Sequence, residues 1–216
     1  MIARHLFSDR SGAGAAEFAL ILPLLLVFLL GTIDVARFLW ECNRAEKATQ
    51  MGARYAVVAD LVDSGLASYS FATSGGLLQG QAVPQASFPG VSCVSTAVTG
   101  SAATAVSCTC AGTCGWTVTA DVAAFNRIVA RMRYFFPRLT AANVEIRYEY
   151  SGLGYAGDPN GADVAPLVVV RLRTDQTANR VTFKPLLYTL FSTSSIALPA
   201  FSASLTLEDG AGNVAN

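Results

Sequence analysis

The hydrophobic pattern divides the chain into two unlike parts. From Phe18 to Ile33 it reads FALILPLLLVFLLGTI, sixteen residues without a charge. The small residues Ala13 to Ala16 and then Glu17 lead into this run. Beyond it, Val35, Ala36, Phe38, Leu39 and Trp40 continue the apolar character around Asp34 and Arg37. About 20 helical residues rising about 1.5 Å each cross a hydrocarbon core of about 30 Å. Ala16 to Leu39 is therefore read as one transmembrane helix, with Trp40 at the interface. Pro23 falls early in the run, where a membrane helix tolerates it. Val35, Phe38, Leu39, Cys42, Ala45, Ala48, Gly52, Tyr55 and Ala59 recur at three- and four-residue steps, which extends the helix to about residue 60.

The remainder reads as mixed α and β structure. Residues 60–120 are rich in Ser, Ala, Thr and Gly, with Gly75-Gly76 marking a turn. Tracts such as Thr96 to Val106 look too small and polar to build core, so this region is expected to be irregular. Asp121 is placed to cap a helix whose apolar face is Val122, Phe125, Ile128, Val129, Met132, Phe135 and Phe136. Arg127, Arg131 and Arg133 fall mostly on its other side, a solvated face, and Pro137 ends it. Val144 to Tyr150 alternates strictly, Leu167 to Arg173 is the most apolar strand, and Phe201 to Leu207 alternates again. Phe183 to Phe191 reads as a short helix or loop. The loop Gly152 to Gly161 carries Asp158-Pro-Asn-Gly, a plain turn without the twelve-residue spacing of a calcium loop. The fold expected is α+β: a long N-terminal transmembrane helix, then an outer domain with an antiparallel sheet packed on helices.

Composition and charge refine this picture. Hydrophobic residues make up 52% and charged residues 14%, with formal net charge zero, so no basic tract calls for nucleic acid. Arg4 and Arg10 precede the apolar run, and the positive-inside rule places them in the cytoplasm and everything after Trp40 outside. A cleaved signal peptide is the rival reading, but Gly31 to Val35 makes a poor cleavage site and the helical pattern runs on. His5 is the one histidine. No histidine-dependent triad or zinc site can then be built in the body of the chain. There is no Gly-x-Ser-x-Gly or phosphate-binding loop either. Glu145 and Glu149 share a strand face at about 13 Å, too wide for a simple acid–base dyad. Neither catalysis nor a cofactor is expected.

Glu17 stands at the entrance to the apolar run, where a carboxylate is costly and a functional candidate by default. Its setting is Arg10-Ser-Gly-Ala-Gly-Ala-Ala-Glu17-Phe18. The stretch from Arg10 through Asp34, Arg37 and Gly52-Ala53-Arg54-Tyr55 resembles the TadE-like family of minor pseudopilins, in the Flp/Tad branch of type IV pilus systems. The resemblance covers about the first 60 residues. It implies a prepilin-type leader (1–12), a transmembrane and assembly helix (13–60) and an extracytoplasmic α+β domain (61–216). It further implies cleavage by a membrane prepilin peptidase between Gly12 and Ala13, with Glu17 at position five and Phe18 beside it as recognition and assembly residues. Gly14 would place Glu17 at position three, and Pro23 is not where classical pilins carry their helix-breaking proline. In pilin-like assembly the glutamate pairs with a neighbour's free N-terminal amine, which offsets the burial of both charges. The implied partners are the membrane, the peptidase, the major Flp pilin, other minor pseudopilins and the Tad assembly platform. The implied location is a bacterial inner membrane, single-pass, N-terminus cytoplasmic, the outer domain periplasmic or extracellular, with entry into the pilus left open. A signal-anchored envelope module that binds a ligand or catalyses a reaction is the alternative.

Two further features carry expectations. Ala48, Gly52 and Ala56 form a small-residue stripe for close packing, either on a partner helix or on the protein's own sheet. Cys93, Cys108, Cys110 and Cys114 are expected to form two disulfides in an oxidising compartment, with connectivity open. Their Cys-x-Cys and Cys-x3-Cys spacings do not suit a four-thiolate zinc site. Cys42 is the odd fifth.

Overall fold

The computed structural model describes residues 13–158, 162–189 and 195–208. The expected leader, with Gly12, lies outside them, as does most of the Asp158-Pro-Asn-Gly turn. The architecture is α+β. A single helix, α1 (Ala13–Ala56), runs for 44 residues and continues through Pro23, giving a rod of about 66 Å. Ala and Leu dominate it, both good helix formers. The described residues fall into two compact units. One comprises the chain to Glu41 together with Thr182–Ile196. The other comprises Cys42–Val181 and Ala197 onward.

The larger unit is built on a five-stranded sheet in the order β2-β1-β3-β4-β7. Its strands are β1 (Val91–Thr99), β2 (Ala102–Cys110), β3 (Val144–Glu149), β4 (Leu167–Leu172) and β7 (Ser202–Thr206). All neighbours run antiparallel. Alternation decides which side chains go inside. Cys93, Ile146, Tyr148, Val168, Val170 and Leu172 form a buried face. The 14-residue helix α3 (Val122–Phe135) buries Ala124, Phe125, Ile128, Val129 and Met132. Asp121 Oδ1 accepts from the amides of Ala123 and Ala124, the cap its position suggests. Val122 and Phe135, expected on the buried stripe, are only half-buried, and Ala124 is buried in addition.

The region expected to be irregular contains a hairpin. β1 and β2 pair from Val91↔Cys110 to Thr99↔Ala102, with a register irregularity around Ala97. Small residues suffice there because β2 lies at the sheet edge and has a helix beside it. The Asn126 side chain of α3 both donates to Ala103 O and accepts from Ala103 N. Residues 60–90 hold the four-residue helix α2 (Ser64–Ala67), turns, and isolated bridges from Asp63 to Ala120 and from Ala82 to Tyr155. Phe71 and Phe88 from this stretch are buried, and both rings meet Trp116. The last expected strand is present as β7. It is an edge strand with none of Ser202–Thr206 fully buried. The smaller unit contributes β5 (Thr182–Phe183) and the short helix α4 (Leu186–Thr189). β5 pairs with β6 (Ile196–Ala197).

Candidate functional site: the anchor helix and its carboxylates

The N-terminal half of α1 is apolar on all sides and uncovered. Its most apolar 18-residue window has a mean hydropathy of 2.5 and is 6% buried. Leu20 is 80% exposed and Phe28 72%. A helix of this kind needs a non-aqueous surround. Its length and composition fit a single-pass membrane anchor. Ala13, the first described residue, is already helical, and Glu17 follows one turn later, exposed, with Phe18 exposed beside it. Glu17 stands in the row of Leu20, Ile21 and Leu24. Among the described residues no hydrogen bond or ion pair reaches its carboxylate.

Asp34 is treated quite differently. It is only 7% exposed. Its Oδ1 accepts from the Leu186 amide at 2.7 Å, and its Oδ2 from the Leu187 amide at 2.7 Å. Arg37, one turn on, donates to Oδ1 at 3.0 Å. The same guanidinium lies over the Phe183 ring, 5.3 Å from its centroid. Asp34 and Arg37 stand three residues apart, on one helix face; the two leucine amides, more than 150 residues away, carry no local signal.

The small-residue stripe has its packing inside the outer domain. Ala48 and Ala56 are fully buried. A β-carbon built on Gly52 would stand 2.6 Å from Met132 Cγ and 3.3 Å from Val170 Cγ1. Of the two partners left open by the sequence, the protein's own helix α3 and strand β4 occupy this face.

Four cysteines form two disulfides, Cys93 with Cys108 and Cys110 with Cys114. The first joins register partners across β1 and β2; the second closes the turn that leaves β2. Cys42 belongs to neither pair. Among the described residues, no three of His, Cys, Asp and Glu gather as metal ligands.

Among the described residues the outer domain buries three carboxylates that were not visible in the sequence, Asp63, Glu145 and Asp163. Alternation puts Glu145 on the sheet face away from α3, yet it is 5% exposed. Its Oε1 accepts from Ser92 Oγ and Arg147 Nε, both at 2.6 Å, and its Oε2 from Arg171 Nε at 2.7 Å. Burial pushes its pKa up, but the hydrogen bonds from Ser92, Arg147 and Arg171 outweigh it and hold the carboxyl below the usual range. Asp63 is fully buried. It accepts from Trp116 Nε1 at 2.7 Å and from the amides of Thr119 and Gly65 at 2.9 and 3.1 Å. Each of these carboxylates has its donors supplied by the protein, those of Asp163 being the amides of Phe71 and Asp158, which marks all three as structural. Tyr148, buried beside this region, donates nothing to Val62; its hydroxyl oxygen accepts from the Val62 amide at 2.9 Å. Burial raises the Tyr148 hydroxyl pKa well above its ordinary value.

Residues 12–54 match the family described as TadE-like protein. The matched segment begins at the glycine of the N-terminal motif and ends two residues before the end of α1. No curated protein and no solved structure matches the chain.

Proposed function

We propose that this protein is a minor pseudopilin that acts in assembly of a Tad/Flp-type pilus or its associated secretion apparatus. The observation that carries the reading is the uncovered apolar helix of the TadE-like segment, with the carboxylate of Glu17 at the near end of its apolar run. A passive anchor needs no carboxylate among its apolar side chains, and a carboxylate in a membrane-spanning segment is costly enough to be a functional candidate by default. In this reading prepilin peptidase cleaves between Gly12 and Ala13 on the cytoplasmic side. The freed Ala13 amine and Glu17 then pair between neighbouring subunits in a bundle of α1 helices. The partners are the major Flp pilin, other minor pseudopilins and the assembly platform of a bacterial inner membrane. The work is assembly and involves no catalysis. The outer domain, residues 61–216, is the cargo displayed beyond the membrane.

Coexpression with a prepilin peptidase tests the reading. Mass spectrometry of the mature wild-type protein is expected to find Ala13 at the N-terminus, and a bulky substitution of Gly12 to abolish processing. Glu17→Ala is expected to be cleaved yet to fail in copurifying with pilus subunits. An N-terminus still at Met1 or Ile2 in a host with active peptidase refutes the maturation step. Normal assembly of Glu17→Ala refutes the role of the carboxylate.

A further inference from the structure

The short excursion Thr182–Ile196 groups with the apolar half of α1 and not with the sheet domain. Asp34 explains how it is held. Along α1, Asp34 lies about 26 Å beyond Glu17 and about 32 Å beyond Ala13. These lengths bracket the thickness of a hydrocarbon core, about 30 Å. A carboxylate at that depth needs partners, and Asp34 receives two backbone amides and a guanidinium. The benefit is mutual. The amides of Leu186 and Leu187 open a short helix and have no acceptor within it, and a water-poor medium would leave such donors unsatisfied. Asp34 satisfies both. Phe183 packs edge-on against Phe38 with ring centroids 5.5 Å apart.

Large apolar side chains are left uncovered. Leu186 is 44% exposed and Ile196 51%, while the nearby turns of α1 expose Val35 and Leu39. Lys184 is exposed as well, a residue suited to the headgroup level. We propose that the segment from Phe183 to Leu187, tethered to α1 by Asp34, is a second membrane-contacting element that seats Leu186 at the outer acyl–headgroup boundary. Its occupant is the bilayer itself, because the surface continues the exposed apolar surface of α1. The inference rests on the reading of α1 as a membrane-spanning helix.

The test uses the full chain with Cys42→Ser, in which the other four cysteines are paired. One added cysteine carries an environment-sensitive fluorophore, in turn Leu186→Cys, Val27→Cys within the apolar run, and Leu78→Cys on the outer domain. The protein is reconstituted in vesicles of phosphatidylethanolamine and phosphatidylglycerol. Quenching by a nitroxide on the shallow acyl chain is compared with quenching by an aqueous cobalt complex. The Val27 and Leu186 labels are expected to be quenched several-fold more strongly than the Leu78 label by the lipid nitroxide, and to be protected from cobalt. A Leu186 label that behaves like Leu78 while Val27 stays lipid-quenched overturns the inference alone. A Val27 label quenched from water overturns the spanning reading and the inference with it. Adding Asp34→Ala is expected to reduce lipid quenching at Leu186 several-fold. Unchanged quenching there overturns Asp34 as the tether.

Discussion

Gly52 faces Met132 so closely that a β-carbon on residue 52 would meet Met132 Cγ at 2.6 Å, with Val170 Cγ1 behind it at 3.3 Å. The contact atom is in the middle of a fully buried side chain, so it cannot swing into solvent. Alanine at position 52 gains about 1 kcal/mol in helix propensity. Overpacking costs about 1–3 kcal/mol. Gly52→Ala is therefore expected to lose about 1 kcal/mol net, and Gly52→Leu considerably more, in urea denaturation of the full chain in micelles. In a Met132→Ala background the clash is gone, and Gly52→Ala is expected to become neutral or stabilising. The sign reversal in this double-mutant cycle separates packing from any loss of an intermolecular helix contact.

Glu145 predicts a specific acid sensitivity. Its folded-state pKa is lowered by Ser92, Arg147 and Arg171 against the opposing effect of burial. The unfolded value is about 4.3. Above that value the carboxylate is ionised in both states, and its contribution to stability is whole. As pH falls through the folded pKa the native state must take up a proton it resists, and the contribution disappears. Glu145→Gln cannot titrate, so its stability should fall less steeply below about pH 4.3 than the wild type's. At neutral pH it is expected to cost about 1–3 kcal/mol, since Arg147 and Arg171 are part-exposed and recover some hydration. Equal acid slopes for the two proteins would remove Glu145 as the titrating group.

The sequence made the anchor legible because its signal is local. Sixteen uncharged residues and a glutamate five places after a glycine need no tertiary context. Helix α3 and strands β3 and β4 were readable for the same reason, through their periodicity and the Asp121 cap. The β1–β2 hairpin was not. Its strands are made of Ser, Thr, Ala and Cys, and their pairing depends on β3 on one side and Asn126 on the other. Glu145 reads as an outward residue from alternation alone, because what buries it comes from β1 and β4. Asp34 shows the same limit: its cap on Leu186 and Leu187 closes a contact across most of the chain.

Asp63 is the acceptor for three donors drawn from two separate segments. Asp63→Ala would leave the buried Trp116 indole N–H without a partner, while the part-buried amides of Gly65 and Thr119 can turn to water. Each orphaned donor costs about 1–3 kcal/mol. The variant is expected to lose about 1–3 kcal/mol for the indole N–H, with a red shift and broadening of Trp116 emission when read in a Trp40→Phe background. Asp63→Asn keeps one acceptor oxygen but turns an amino group toward a donor, so it should recover only part of the loss. Full stability in Asp63→Asn would show that one acceptor oxygen meets the need.

The two disulfides are expected to differ in weight and in what they protect. Cys93–Cys108 closes 15 residues and Cys110–Cys114 closes four. Loop-closure entropy assigns them about 3 and about 2 kcal/mol respectively. The first also has a structural task, because β2 is an edge strand held to the sheet by β1 alone. Cys93→Ser/Cys108→Ser should therefore expose the β2 amides to hydrogen exchange well before those of β3 and β4. Cys110→Ser/Cys114→Ser should leave β2 protection nearly intact and loosen only residues 111–115. The paired Cys42→Ser variant provides the reference for both, and alkylation without reductant should leave Cys93, Cys108, Cys110 and Cys114 unmodified. Uniform loss of protection across the whole sheet on removing Cys93–Cys108 would mean that the hairpin and the remaining strands unfold as one cooperative unit, against the edge-strand argument.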